Sequence, residues 1–189
     1  MFVFRPRNAI AVMLALAGCG SDSTPPATYN DISLEGDALR AEFAGAPLTS
    51  LANLPDTGSF NYSGVFQVSE IDIEPDVEGE DLAGQLRLTA DFASNSISGN
   101  ILNVVNSRNE IYEGSVSITG DILREEFPRI SSTSVGILIR DGVTLDVSAL
   151  FDGRFVGEAY EGITGDAGIS IRENGSFPRN FDGTFVVQR

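Results

Sequence analysis

The chain of 189 residues contains no histidine and no tryptophan, every one of its basic residues is an arginine, and its single cysteine is Cys19. Without imidazole or a second thiol, the usual ligand sets for zinc, haem and iron–sulfur clusters are missing. No Ser-His or Cys-His nucleophile can be assembled, and the lack of lysine removes both the Ser-Lys pair and the phosphate loop that ends in lysine. One cysteine also means no internal disulfide, so the fold must rest on its apolar core and backbone hydrogen bonds. The remaining option is a carboxylate pair of the glycosidase kind, and no spacing singles one out. The expectation is a protein that is not an enzyme and carries no cofactor or metal centre.

Positive charge is scarce too. Twelve arginines face 27 acidic residues, a net charge of −15. Such a surface repels phosphate backbones, which excludes nucleic acid as a partner, and it attracts basic protein patches or dissolved cations. The same charge also serves solubility alone. No apolar run reaches the roughly 20 residues that a membrane-spanning helix needs.

A short apolar run, residues 9–15, follows Arg5 and Arg7 and leads into Leu16-Ala17-Gly18-Cys19. A basic start, a short apolar stretch and small residues before a cleavage point describe an export signal. Leucine, alanine, glycine and cysteine in that order resemble the lipobox of bacterial lipoproteins. The resemblance implies that residues 1–18 are removed and that Cys19 becomes a lipidated first residue. Loss of Arg5 and Arg7 then takes the net charge from −15 to −17. At about 0.8 kcal/mol per buried CH2, two or three acyl chains on one residue anchor firmly. Gly20, where an aspartate resembles an inner-membrane retention signal, favours the outer membrane. The leaflet that the domain faces stays open.

Residues 19–34 read as anchor and tether, because Gly20 to Thr28 are small, polar and proline-bearing. An irregular lead-in follows over 35–57, where Asp37–Phe43 fits either a short helix capped by Asp37 or an irregular strand. From 58 to 189 the pattern changes to short β-branched and aromatic runs. These cover 59–68, 82–92, 96–105, 111–119, 135–140, 143–150, 154–160, 163–172 and 181–188. Phe60, Tyr62, Phe66 and Val68 share one face of the first run, and Leu86 and Leu88 one face of the second. Ile97, Ile101 and Val105 share a face of the third, and Val116 and Ile118 one of the fourth. Asp141-Gly142 between two runs is a strong hairpin signal, and Asp152-Gly153, Asn174-Gly175 and Asp182-Gly183 add turn or bulge sites. Asp121–Phe127, ended by Pro128, is a rival single helix. The expected fold is all-β: a small eight-stranded antiparallel, up-and-down, lipocalin-like barrel, with a two-sheet sandwich as the alternative.

Three stretches carry a family resemblance. Leu54-Pro55-Asp56-Thr57-Gly58-Ser59-Phe60-Asn61-Tyr62-Ser63-Gly64 resembles the entry into the barrel domains of transferrin-binding protein B and its lipoprotein relatives. Residues 90–101, with Asp91-Phe92 ahead of Ile97-Ser98-Gly99, are similar to that family's recurring hairpin. Gly153-Arg154-Phe155-Val156-Gly157, Gly162 and Gly165, and Gly183-Thr184-Phe185 resemble its last strands. The resemblance covers about residues 54–189 and implies an eight-stranded barrel on a lipidated tether that binds a protein partner. The handle surfaces that hold transferrin have no counterpart, so no partner-binding residue carries over. The glycines read first as structural, letting strands bend around a narrow barrel.

One segment outside that resemblance invites a functional reading. Glu70, Asp72, Glu74, Asp76 and Glu78 alternate with apolar residues, so an extended chain would present one acidic face. They fit a solvated loop, a contact with a basic protein partner, or a weak calcium site, although the spacing is not that of an EF-hand. The functional expectation is a binding module for a protein partner or ligand. The alternatives are a lipocalin-like carrier of a small apolar ligand in the periplasm and a structural envelope lipoprotein.

Overall fold

The structure is a computed structural model that describes residues 27–71 and 79–189. Eight antiparallel strands, β1 (Ser59–Ile71), β2 (Asp81–Asp91), β3 (Ser96–Asn106), β4 (Ile111–Leu123), β5 (Arg129–Arg140), β6 (Val143–Val156), β7 (Gly162–Glu173) and β8 (Arg179–Gln188), pair in sequence order. β8 returns to β1 over Ser63↔Gln188 to Ile71↔Asn180, so the sheet closes into a barrel. Closure removes the free edges that would otherwise template aggregation.

Alternation along each strand sends one set of side chains inward. Tyr62, Phe66, Phe151, Phe155, Phe181 and Phe185 meet along the axis among Leu, Ile and Val, all nearly fully buried. Phe151 stacks edge-on against Phe66 and Phe185, with ring centroids 6.4 and 5.5 Å apart. A barrel of eight strands has an interior just wide enough for such side chains. Glycine supplies the tightest bends. A Cβ on Gly165 would stand 2.0 Å from the Asp152 carbonyl oxygen, so the close pairing of β7 with β6 here requires a residue without a side chain.

Helix α1 (Tyr29–Phe43) lies along the outer wall. Its start is a capping box: Thr28 Oγ1 accepts from the Asp31 N–H at 3.2 Å, and the Asp31 carboxylate accepts from the Thr28 N–H at 3.0 Å. Ile32 and Leu39 face the wall and bury Val65, Ala83, Val105 and Val186 of β1, β2, β3 and β8. Between them Gly36 lets the helix approach closely, since a Cβ there would lie 2.9 Å from the Val65 side chain. The 15-residue helix runs about 22 Å. At its start the Tyr29 N–H donates to Asn109 Oδ1 in the β3–β4 hairpin, and at its finish Phe43 packs on Gly162 at the start of β7. It therefore spans the barrel from one end to the other. Residues 44–58 then cross the second end, where Leu54 joins the core and Thr49 Oγ1 donates to the Gly157 carbonyl at 2.6 Å.

Several expectations need correction. The helix starts at Tyr29, inside the stretch read as tether, and its cap is Thr28; Asp37 lies mid-helix, paired with Arg40 at 3.1 Å. Residues 121–127 form no helix: Asp121–Leu123 finish β4, and Ile122 turns inward opposite Ile130. β6 runs unbroken through Asp152-Gly153, because Gly153 faces inward and leaves room for the Phe185 ring. Asp182-Gly183 likewise lies within β8. Val105 does not share a face with Ile97 and Ile101. A register shift between Ile101 and Val104, with Asn103 at φ 50, inverts the alternation and turns Val105 outward beneath α1. Asp141-Gly142 does form the β5–β6 turn, with φ of 52 and 77.

The close approach at Gly36 yields a test. Gly36→Leu removes a glycine from a helix interior, which alone favours the helix by about 1 kcal/mol. Because the new side chain meets Val65 and Gln67, the expected outcome is instead a lower melting temperature and earlier proteolysis within α1, read by limited digestion.

Candidate functional site

Two features outside the apolar core merit description: a charged network in one mouth of the barrel, and a groove on its outer wall.

The mouth lies where the β1–β2, β3–β4, β5–β6 and β7–β8 connections gather. Glu80 sits just ahead of β2, and its side chain is only 2% exposed. Its carboxylate lies 2.7 Å from Arg179 Nη1, 3.6 Å from Arg140 Nη1 and 3.8 Å from Arg108 Nη2. It also accepts from Asn106 Nδ2, and from the Tyr112 hydroxyl at 3.3 Å. Arg179 grips Glu70 in a fork, with Nε donating to Oε1 at 2.7 Å and Nη2 donating to Oε2. The Glu80 N–H donates to Glu70 Oε2 at 3.1 Å, which ties both ends of the β1–β2 connection to the same arginine. The Tyr112 hydroxyl accepts from Arg140 Nη1 at 2.8 Å.

Electrostatics follow from this arrangement. The hydrogen bonds from Arg179 hold the Glu70 carboxyl below its ordinary value. Burial alone would raise Glu80, but Asn106 and the Arg179 and Arg140 guanidiniums outweigh it and hold that carboxyl low as well. Burial, with the Glu80 charge beside it, pushes the Tyr112 hydroxyl up to about 12. Removing one partner from such a desolvated network strands the others, so its first consequence is structural.

Of the acidic residues singled out in the sequence, Glu70 therefore has its oxygens engaged by Arg179 and the Glu80 backbone. Asp72, Glu74, Asp76 and Glu78 lie outside the described residues, as does Cys19. Sequence reading missed Glu80, Arg140 and Arg179 as members of one cluster. The available signal was alternation: Glu80 continues the inward series Leu82, Gly84, Leu86, and Arg179 precedes Phe181, Gly183 and Phe185 in the same way.

The second feature crosses β5 to β8 on the outside and reaches β1 at Ile71. It is a groove of about 520 Å3 with Gly168, Ser148, Ser170 and Thr133 in its floor and Val135, Leu150 and Ile71 in its walls. Val135 and Leu150 are 74% and 62% exposed, and Ile137 continues the apolar row along β5 at 55%. Aspartates border it. Asp152, Asp166 and Asp182 line an adjoining hollow beside Leu150. Asp152 and Asp166 stand directly opposite one another on β6 and β7, an arrangement that costs stability. Arg129 reaches Asp152 at 2.7 Å; among the described residues no arginine lies within ion-pair distance of Asp166 or Asp182. Small floor, apolar walls and an acidic border suit an apolar segment that also carries arginine or lysine.

The mouth network makes stability depend on acid. Both carboxyls sit below their ordinary value of 4.5, so their contribution is complete above about pH 5 and is lost as pH falls below 4.5 through the folded values. Glu80→Gln is expected to flatten that acid limb in denaturation curves recorded from pH 7 to 3. Glu80→Ala should cost about 3 kcal/mol at pH 7, because it leaves Arg179 and Arg140 without their shared partner.

Compared with protein-family models and with curated proteins, the chain matches none.

Proposed function

We propose that this chain is an outer-membrane lipoprotein, anchored by lipid on Cys19, whose barrel is a binding module for a protein partner. The observation that carries this reading is the contrast between a filled interior and an open outer wall. Aromatic rings occupy the barrel axis, while Val135, Ile137 and Leu150 face solvent on a sheet surface edged by Asp152, Asp166 and Asp182. An apolar centre with a charged border is the anatomy of a protein interface. The partner is therefore an exposed apolar segment bearing basic side chains, seated across β5–β8. The lipobox-like Leu16-Ala17-Gly18-Cys19 supports the anchor, and the resemblance of residues 54–189 to the barrels of the transferrin-binding protein B family supports the binding role. A periplasmic carrier with its ligand inside the barrel has less support, since Phe66, Phe151 and Phe185 fill the place such a ligand would take.

The test uses the full-length chain in Gram-negative cells. Cys19→Ala should abolish incorporation of labelled fatty acid and release the protein from membranes. A photo-crosslinking residue at Leu150 should give a discrete protein adduct that the same residue at Arg87, on β2 away from the groove, does not give. Leu150→Arg should weaken binding of that partner about tenfold, as expected for loss of an anchor contributing about 1.4 kcal/mol. Equal adducts from both positions, or none from Leu150, would remove the groove as the binding surface. Protease shaving of intact cells, with a lysed control, tells an external partner from a periplasmic one.

A further inference from the structure

The two ends of the barrel differ in what they expose and in where the chain enters. Phe177, in the β7–β8 loop, is 95% exposed, the most exposed large apolar side chain among the described residues. The loop holds it out: Asn174 and Gly175 turn with φ of 44 and 76, and the Ser176 N–H donates back to the Glu173 carbonyl at 2.8 Å. Ile71, Ile111 and Ile139 are exposed around the same rim. At the opposite end, which residues 44–58 cross, Leu48, Leu51 and Phe127 are 39–40% exposed, much like those three isoleucines, so the difference between the ends is Phe177 itself.

The chain enters at the Phe177 end. Tyr29 is held by Asn109 in the β3–β4 hairpin, so Thr28 lies at the mouth. Residues 19–27 can stretch about 30 Å at most. To lay the opposite end on lipid, that stretch would have to double back beside α1 for about 22 Å, leaving almost nothing for the membrane. A tether this short also keeps the mouth at high effective concentration near the surface, so a weak contact suffices.

We infer that the barrel sits mouth-first on the bilayer, with Phe177 inserted at the boundary between headgroups and acyl chains. This rests on the proposed lipid anchor at Cys19. Among the described residues, Glu110, Glu113, Asp141 and Glu173 are exposed on the rim against Arg108 and Arg172, an acidic excess that suits an electrically neutral surface better than an anionic one. In this orientation the groove descends across β5–β8 to Ile71 at the rim, and its other end, at Val135 and Leu150, stays on the barrel wall and open to a partner.

Because the chain has no tryptophan, Phe177→Trp creates a single fluorescent reporter in the lipidated full-length protein. In phosphatidylcholine vesicles its emission should shift to the blue and be quenched by bromine-labelled acyl chains. Phe127→Trp, in the β4–β5 turn at the other end, should show neither effect, and vesicles rich in phosphatidylglycerol should reduce the Phe177→Trp signal. If the protein floats with the vesicles but the Phe177→Trp reporter stays solvent-like, or the Phe127→Trp reporter is the one quenched, the orientation is overturned while the anchor stands. If the protein does not float with them, the anchor at Cys19 fails and the orientation falls with it.

Discussion

Closure of an eight-stranded sheet is the constraint on which the rest of this protein depends. A ring of eight strands encloses a column that side chains can fill or that can hold one small ligand, and here aromatic rings occupy it. The column here is so full that glycine appears opposite the largest rings: Gly84 faces Phe66, and Gly153 faces Phe185, each where a Cβ would collide with the ring. Adding any atom inside would require removing one. With the axis filled by side chains, the wall and the two ends are the surfaces the barrel presents.

The same alternation that fills the column dictates what closes it. Every strand that carries apolar residues inward eventually runs out of barrel, and the next inward position meets water. At the mouth those positions are Glu70, Glu80, Arg140 and Arg179, which can be drawn inside only as a mutually neutralising set. At the far end the inward position after Ile122 is Arg124, whose guanidinium donates to the Pro55 and Phe92 carbonyls and pairs with Asp56 at 3.2 Å. There the chain itself is the lid. One end is closed by charge and the other by backbone, so the barrel has a direction, and the entering helix shares it.

Much of this was legible in the sequence because period-two patterning is strict where one face is buried. Tyr62, Phe66, Leu86, Leu88, Val116 and Ile118 all lie inward, as their alternation requires. What escaped was whatever depends on a single irregular residue or on neighbours far apart in the chain. Asn103 in the left-handed region reverses the parity of β3, and nothing in the run 96–105 announces it. The start of α1 was hidden because its wall-facing positions, Ile32, Gly36 and Leu39, include a glycine that reads as a breaker until the close approach to Val65 explains it. Glu80 was accessible through parity. The meeting of Glu80 with Arg179 was not, because it joins the start of β2 to the start of β8. The groove is less legible still: Ser148, Gly168 and Ser170 look ordinary in their own strands and form a floor only side by side.

The wall offers an internal comparison. Two groups of outward-facing apolar residues on the described wall are treated differently by the fold. Val65, Ala83, Val105 and Val186 are buried under α1, at the expense of a bulge in β3 and a glycine within the helix. Val135, Ile137 and Leu150, on the wall away from that helix, are left bare. Directly beside them Asp152 and Asp166 face each other across a strand pair, a second departure from what stability favours. Each departure alone is tolerable, and an isolated exposed leucine needs no explanation. Their coincidence on one face, in a chain that covers its other apolar wall, is the ground for the proposal that this surface serves a partner. Local rules are broken together where something other than folding is being served.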